Sequence, residues 1–345
     1  MCGIVGIYHR SANCDIDGSL LQRMNDVQTH RGPDGEGTHI EPGLGLGHRR
    51  LSIIDIGGGA QPMANDTGDV VIVYNGEVYN FPELRKALEA QGINFHTRCD
   101  TEVILQSYIT WGAACVEKLR GMFAFAIWDR KKQSLLLARD RLGIKPLYYC
   151  YQNERLMFAS ELKSLLQDTD LPREIDPKAV EDYFGFGYIP DPKTIFHSVK
   201  KLPPGHILEI DRSSSEPKIT QYWDVSFSQT NNQSEGEIAE ELIERLRDAV
   251  DVRMISDVPL GSFLSGGVDS SAVVAMMAGL SSDPVSTCSI SFGDKRYNES
   301  AFAQEVATRY ETKHHVEQVD PDAYDLIDKL ANLYDEPFAD SSAMP

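Results

Sequence analysis

The run GMFAFAIWD at 121–129, followed after four residues by SLLLARD at 134–140, constrains the fold more than any other stretch of the chain. Its apolar character is nearly continuous where a half-exposed strand would alternate, so the two segments read as paired strands buried on both faces. The surrounding residues supply further strands and only two or three helices. IVGIY at 4–8 is β-rich, a helix is expected at 18–28, and HRGPDGEG at 30–37 is a loop by its Gly and Pro content. GLGLGHRRLSIID at 43–55 ends in a β-branched strand, and VVIVYNGEVYNF at 70–81 reads as two strands joined at Asn75-Gly76, a strong short hairpin signal. A helix near 82–91 and an amphipathic helix carrying Val103, Ile104 and Tyr108 follow, and RLGIKPLYY at 141–149 and LMFASELKSLL at 156–166 continue the sheet into a turn and a helix. This succession predicts a sheet-rich α+β domain whose sheets are covered by helices.

Composition narrows the functional classes. The chain has 345 residues, 41% hydrophobic and 25% charged, which suits two globular domains of ordinary size. Its formal net charge of −19 argues against a general nucleic-acid binder, because phosphate backbones are met with clustered Lys and Arg. The six cysteines, Cys2, Cys14, Cys99, Cys115, Cys150 and Cys288, are scattered without metal-ligand spacing or a C-x-x-C pair. A reducing cytoplasm fits that usage. The apolar stretch at 4–7 is too short for a signal peptide, and no run approaches the ~20 residues of a membrane span.

Candidate chemistry begins at Met1-Cys2-Gly3. A small residue after the initiator methionine permits its removal, after which the thiol and α-amino group of Cys2 share one carbon. A free thiol titrates near ~8.5 and an α-amino group near ~7.7–8.0, so the amine can act as the local base for the thiol. Arg49 and Arg50 precede a strand, and a loop arginine near a nucleophile can clamp a carboxylate through two parallel hydrogen bonds. The Asn75 amide and the Gly76 N–H on one turn suit either a plain hairpin or an oxyanion hole. Asp100 and Glu102 open a helix, where Asp commonly acts as an N-cap.

A second centre lies at VPLGSFLSGGVDSSAVVAMMAG, 258–279, where a short strand runs through Ser265-Gly266-Gly267-Val268-Asp269-Ser270-Ser271 into a helix. Glycines let the backbone approach a phosphate closely, while serine hydroxyls, loop N–H groups and the helix N-terminus all favour an anion. No Gly-Lys-Ser/Thr follows, so this is not a Walker loop. Before it, 167–235 is rich in Pro, Gly and Ser. SQTNNQSEGE at 228–237 reads as a flexible linker, with a boundary near 230 and a helix from 237 that carries Ile238, Leu242, Leu246, Ala249 and Val250 on one face. After it come a strand at 285–292, a helix at 299–310, a strand at 314–319 and a helix at 321–334 with Ala323, Leu326, Ile327, Leu330 and Leu333 on one face. Alternating strands and helices predict an α/β doubly wound parallel sheet with ligand at the strand carboxyl ends.

Seven motifs in order, Cys2-Gly3, HRGPDG at 30–35, HRRLSIID at 48–55, YNGEVYN at 74–80, DTEVI at 100–104, LRGMFAFAIWD at 119–129 and ARDRLGIKPLYY at 138–149, resemble the glutaminase domain of class II glutamine amidotransferases, which are N-terminal nucleophile hydrolases. SGGVDS resembles the pyrophosphate loop of ATP pyrophosphatases, and the two halves together resemble glutamine-hydrolysing asparagine synthetases. The resemblance implies an α+β N-terminal nucleophile hydrolase sandwich at 1–210, with a connecting segment, and an ATP-pyrophosphatase domain at 235–345. It implies that Cys2 attacks the glutamine side-chain amide, that Asn75 and Gly76 form the oxyanion hole, and that Arg50, Glu77 and Asp100 hold the glutamine carboxylate and ammonium. In the second half it implies that Leu264 and Ile290 border adenine, that residues 265–271 (Ser265, Gly266, Gly267, Asp269 and Ser270 among them) hold diphosphate, and that Asp269 helps hold Mg²⁺. The implied substrates are glutamine, ATP and aspartate; a homodimer is compatible with it, and neither nucleic acid nor membrane is implied. Related enzymes amidate peptides, glycans or antibiotic precursors or close β-lactam rings, so the acceptor stays open, as does a glutaminase or nucleotide-sensing module without synthetase turnover. The sequence reaches YDEPFADSSAMP, 334–345, without the family's second phosphate-contacting motif of the type SGDGGDE, which favours a fragment of a longer chain.

Overall fold

The computed structural model describes residues 1–227, 232–293, 298–319 and 327–340. The chain divides into two compact units, Met1–Val225 with Ala331–Ala339, and Ser226–Leu330 with Asp340–Pro345.

In the first unit, twelve strands among the described residues form two six-stranded sheets. They are β1 (Gly3–His9), β2 (Gly35–Glu41), β3 (Leu44–Arg50), β4 (Met63–Ala64), β5 (Val70–Val78), β6 (Gly121–Asp129), β7 (Ser134–Arg139), β8 (Tyr148–Gln152), β9 (Arg155–Ala159), β10 (Lys200–Lys201), β11 (His206–Asp211) and β12 (Lys218–Gln221). One sheet runs β10-β8-β9-β1-β3-β2 and the other β12-β11-β7-β6-β5-β4. The two-residue period of a strand sends neighbouring side chains to opposite faces, and here both faces are covered. From β1, Ile4 and Tyr8 meet Val71, Val73, Ala126 and Trp128 of the other sheet in a central core. Val5 and Ile7 face the opposite way, onto Leu20, Leu21 and Met24 of α1 (Gly18–Asp26). From β5, Ile72 and Tyr74 face Leu84 and Leu88 of α2 (Phe81–Glu89) and Val103 and Ile104 of α3 (Asp100–Trp111). The order is therefore helix, sheet, sheet, helix, and the buried GMFAFAIWD run is β6, in the middle of the second sheet.

Two expectations fail, the first at LSIID, 51–55, which is loop because β3 spans Leu44–Arg50 and ends there. The hairpin placed at Asn75-Gly76 does not form, and β5 runs unbroken through both residues, with Asn75 opposite Ala124 and Gly76 opposite Phe123. A turn preference is local and weak, whereas β6 offers a full-length partner to all nine residues of β5. The glycine is needed for a different reason: a Cβ there would lie 2.2 Å from the Met122 carbonyl oxygen.

Further helices complete the first unit: α4 (Cys115–Lys118), α5 (Leu162–Leu165) and α6 (Pro177–Phe186). The second unit opens with α7 (Glu235–Asp251), whose N-terminus carries a reciprocal capping box between Ser234 and Glu237. Parallel strands β13 (Gly261–Phe263), β14 (Ser286–Phe292) and β15 (Lys313–Val319) follow, joined through α8 (Val268–Leu280) and α9 (Ser300–Arg309). Of the helix expected at 321–334 the structure describes α10 (Ile327–Tyr334), while 321–326, with Ala323 and Leu326, lie outside the described residues. So do 228–231 of the expected linker. Ile238 and Leu242 on the apolar stripe of α7 are exposed, and Val250 is buried against Met277 and Val285.

Candidate active site

Four elements of the first unit deliver side chains to one cavity of about 220 Å³. Cys2 precedes β1, Arg50 ends the neighbouring strand β3, Asn75, Gly76 and Glu77 sit in β5, and Asp100 opens α3, and all of them line it. The register explains the meeting of the first two, because Gly3 pairs with Arg49 and so sets the residues beside them together at the strand ends.

The Cys2 thiol accepts from the Leu51 N–H at 3.4 Å, and its carbonyl accepts from Arg31 Nε at 2.8 Å. Burial pushes the thiol up from its ordinary value, opposed by the Leu51 hydrogen bond, the chain amino group and Arg50. The structure retains Met1, whose amino group burial pushes down.

Asn75 is 1% exposed, and among the described residues neither Nδ2 nor Oδ1 has a hydrogen-bond partner. A buried amide left unpaired is rare and costs about 1–3 kcal/mol, and this one lines the cavity that holds the thiol. Asp100 is fixed by its Oδ2, which accepts from Tyr74 Oη at 2.7 Å and from the Val78 N–H at 3.0 Å. Burial raises its pKa against those two hydrogen bonds. It is the first residue of α3 rather than the cap, a position held by Cys99. Glu102 serves the local backbone instead, accepting from the His96 and Thr97 N–H groups at 2.9 and 2.7 Å. The Arg50 guanidinium donates to the carbonyls of Ile56 at 2.9 Å and Asp55 at 2.7 Å. Arg49 turns the other way and pairs with Asp26 and Glu36.

Gln61, Thr101, Met122 and Lys145 also line the cavity and carried no role in the sequence reading. Gln61 accepts from the Tyr74 N–H at 2.7 Å and donates to Thr101 Oγ1 at 3.3 Å, which ties the loop after β3 to β5 and α3. Lys145 is 5% exposed, and burial lowers its pKa.

In the second unit, Leu264 is buried and its N–H donates to the Cys288 carbonyl at 2.8 Å. The loop after it is drawn together by serines: Ser270 Oγ lies 3.0 Å from Ser265 Oγ and accepts from the Ser265 N–H at 3.2 Å, while the Gly267 N–H donates to Ser265 Oγ at 3.2 Å. Gly266 has φ +82°, and a Cβ on it would lie 2.6 Å from the Ala303 nitrogen, so only glycine fits. Gly267 is the N-cap of α8 and offers no side chain, which leaves the first N–H groups of the helix beside the loop. Asp269 is exposed in the first turn of α8, and Ile290 is 41% exposed on β14. Among the described residues no group of three or more His, Cys, Asp or Glu side chains is placed to hold a metal ion.

A half-buried cysteine beside the first strand of a helix–sheet–sheet–helix sandwich is the arrangement of the α+β N-terminal nucleophile hydrolase fold, and residues 1–223 match the family model described as Glutamine amidotransferase domain. Residues 241–345 match the model described as Asparagine synthase. The chain belongs to the family of glutamine-hydrolysing asparagine synthetases. It is 38% identical over 349 residues to asparagine synthetase [glutamine-hydrolyzing] 1 of Bacillus subtilis, covering 100% of this chain and 54% of that one. To the putative asparagine synthetase [glutamine-hydrolyzing] 2 of Methanocaldococcus jannaschii it is 38% identical over 368 residues, covering 100% and 70%. Asparagine synthetase [glutamine-hydrolyzing] 3 of B. subtilis is 40% identical over 311 residues, 88% of this chain and 50% of that one. The chain thus spans about half the length of these B. subtilis relatives.

Proposed function

We propose that the first unit hydrolyses the side-chain amide of glutamine to glutamate and ammonia, and that in the whole protein this ammonia amidates an ATP-activated aspartate to asparagine. With Met1 removed, the Cys2 amine takes the thiol proton and the thiolate attacks the amide carbon. The developing oxyanion is met by the Asn75 amide and the Gly76 N–H, ammonia leaves with the proton, and water resolves the thioester. Asp100 and Glu77 attract the substrate ammonium and Arg50 its carboxylate. The observation that carries this reading is the unpaired Asn75 amide, buried in the cavity that also holds the thiol. An amide without a protein partner is a hydrogen-bond donor held ready for an oxyanion.

For the second unit, Ser265 to Ser271 would hold ATP phosphates through hydroxyls, loop N–H groups and the N-terminus of α8, with Leu264 and Ile290 beside the adenine. Attack of the aspartate carboxylate on the α-phosphate would release diphosphate and leave an acyl-adenylate, which ammonia converts to asparagine and AMP. The names of the relatives support aspartate as the acceptor. Asp269, in the first turn of α8, would help hold the Mg²⁺ that accompanies the nucleotide, and no step rests on it.

Glutamate release by the Asn75→Ala variant tests the reading. Loss of one oxyanion donor is expected to lower kcat about 10²- to 10³-fold with KM little changed. An unchanged kcat would contradict it.

A further inference from the structure

We propose that Asp335 and Lys163 are positioning residues for Cys2, joined to it by an ionic relay that runs from Asp335 through Lys163, Glu161 and Arg31 to the Cys2 carbonyl. The proposal rests on the glutaminase reading of the first unit.

Every link is 3.2 Å or shorter and at least partly buried. Arg31, on the 3₁₀ turn Thr29–Arg31, donates Nε to the Cys2 carbonyl at 2.8 Å and Nη1 to Glu161 Oε1 at 3.0 Å. Lys163 Nζ lies 3.1 Å from the other oxygen of Glu161, an ion pair without hydrogen-bond geometry. Asp335 then holds Lys163 twice, accepting from its backbone N–H at 2.9 Å and pairing with Nζ at 3.2 Å. The side chains of Arg31, Glu161, Lys163 and Asp335 are 8%, 11%, 17% and 8% exposed. His30 Nε2 also meets Glu161 Oε1 at 3.0 Å. The carboxyl of Glu161 is pushed up by burial but held below its ordinary value by Arg31, His30 and Lys163 together.

Burying this many charges contributes little net stability, because desolvation offsets most of the attraction. What such a set does provide is geometry. Glu161 can serve Arg31 with one oxygen only while its other is occupied, and Lys163 keeps to that oxygen only while Asp335 fixes its backbone and its amine. Arg31 in turn grips the peptide carbonyl one bond from the Cα that carries the thiol, so a slack relay lets the thiol swing.

The neighbouring Glu336 provides a contrast on the same segment. It accepts from the Ile195 N–H at 2.8 Å and pairs with Lys201 Nζ at 2.8 Å, and neither contact joins the relay. The N–H of Ala339 donates to the Gly187 carbonyl at 2.8 Å. The segment therefore has anchors that hold it in place when Asp335 is altered.

The test compares the full chain with Asp335→Asn, Lys163→Met, the double variant and Glu336→Gln, measuring glutamate release and the rate at which iodoacetamide alkylates Cys2. Asp335→Asn and Lys163→Met are each expected to lower kcat about 3- to 10-fold with KM within a factor of two, and to slow alkylation by the same factor. The double variant should be no worse than either single one, as for residues in one chain of contacts, and Glu336→Gln should match the wild type. Additive losses, an equal loss in Glu336→Gln, or Asp335→Asn matching the wild type would overturn the relay. If the wild type releases no glutamate, the glutaminase reading fails, and alkylation alone decides the relay by the same comparison.

Discussion

Asp100 is an ionisable side chain whose burial disfavours its charge, kept where a substrate ammonium would need that charge. Its native pKa stands above its unfolded one, so the native state holds the proton more tightly than the unfolded chain does. Whatever stability this lends is present at low pH and is lost as pH rises through the native value, so at neutrality the ionised group weakens the fold. Asp100→Asn keeps an oxygen for Tyr74 Oη and the Val78 N–H and removes the charge. At pH 7 to 8 its melting temperature should equal or exceed that of the wild type, and any gain should shrink in acid as the wild-type carboxyl protonates. Its KM for glutamine should rise about 10- to 100-fold, the loss of one charged hydrogen bond. A melting temperature clearly below that of the wild type at neutral pH, read by calorimetry, would show that the charge stabilises the fold.

At the scale of elements, β5 decides the site. Asn75, Gly76 and Glu77 share one strand, paired at every residue with β6, so the proposed oxyanion donors are carried by a sheet and not by a turn. Gly76→Ala would drive a methyl group into the Met122 carbonyl and pry β5 from β6 at the donors themselves. An overpacking clash of this kind costs about 1–3 kcal/mol, and displaced donors cost rate besides. The variant should therefore melt several degrees lower and lose at least tenfold in glutamate release; wild-type values for both would show that the strand has slack. The motifs around this strand were legible in the sequence, and so were the buried run at 121–129 and the α+β class. Whether Asn75-Gly76 turns or continues was not legible, because an alternating strand and a hairpin read alike over a dozen residues and only the partners Ala124 and Phe123, 49 and 47 positions further on, separate them. Gln61 and Lys145 were missed because their place at the cavity depends on chain distant in sequence; Lys145 lies inside the motif ARDRLGIKPLYY, whose pattern alone assigns it no role.

At the scale of the whole molecule, the chain sets two kinds of architecture in succession, an antiparallel two-sheet sandwich and a parallel α/β unit, each with its own candidate site. The second was legible as alternating strands and helices around SGGVDS, and its serine-drawn loop and capless α8 fit a phosphate. The expected metal role of Asp269 was carried by resemblance, and the described residues assemble no cage around it. Among the described residues no helix is long and apolar enough to cross a membrane. The account as a whole stands on Cys2, and the most direct measurement is glutamate formed from glutamine by the chain with Met1 removed, beside its Cys2→Ala variant. Glutamate from the first and none from the second is the predicted result. Equal release by the two, or none from the first, would contradict it.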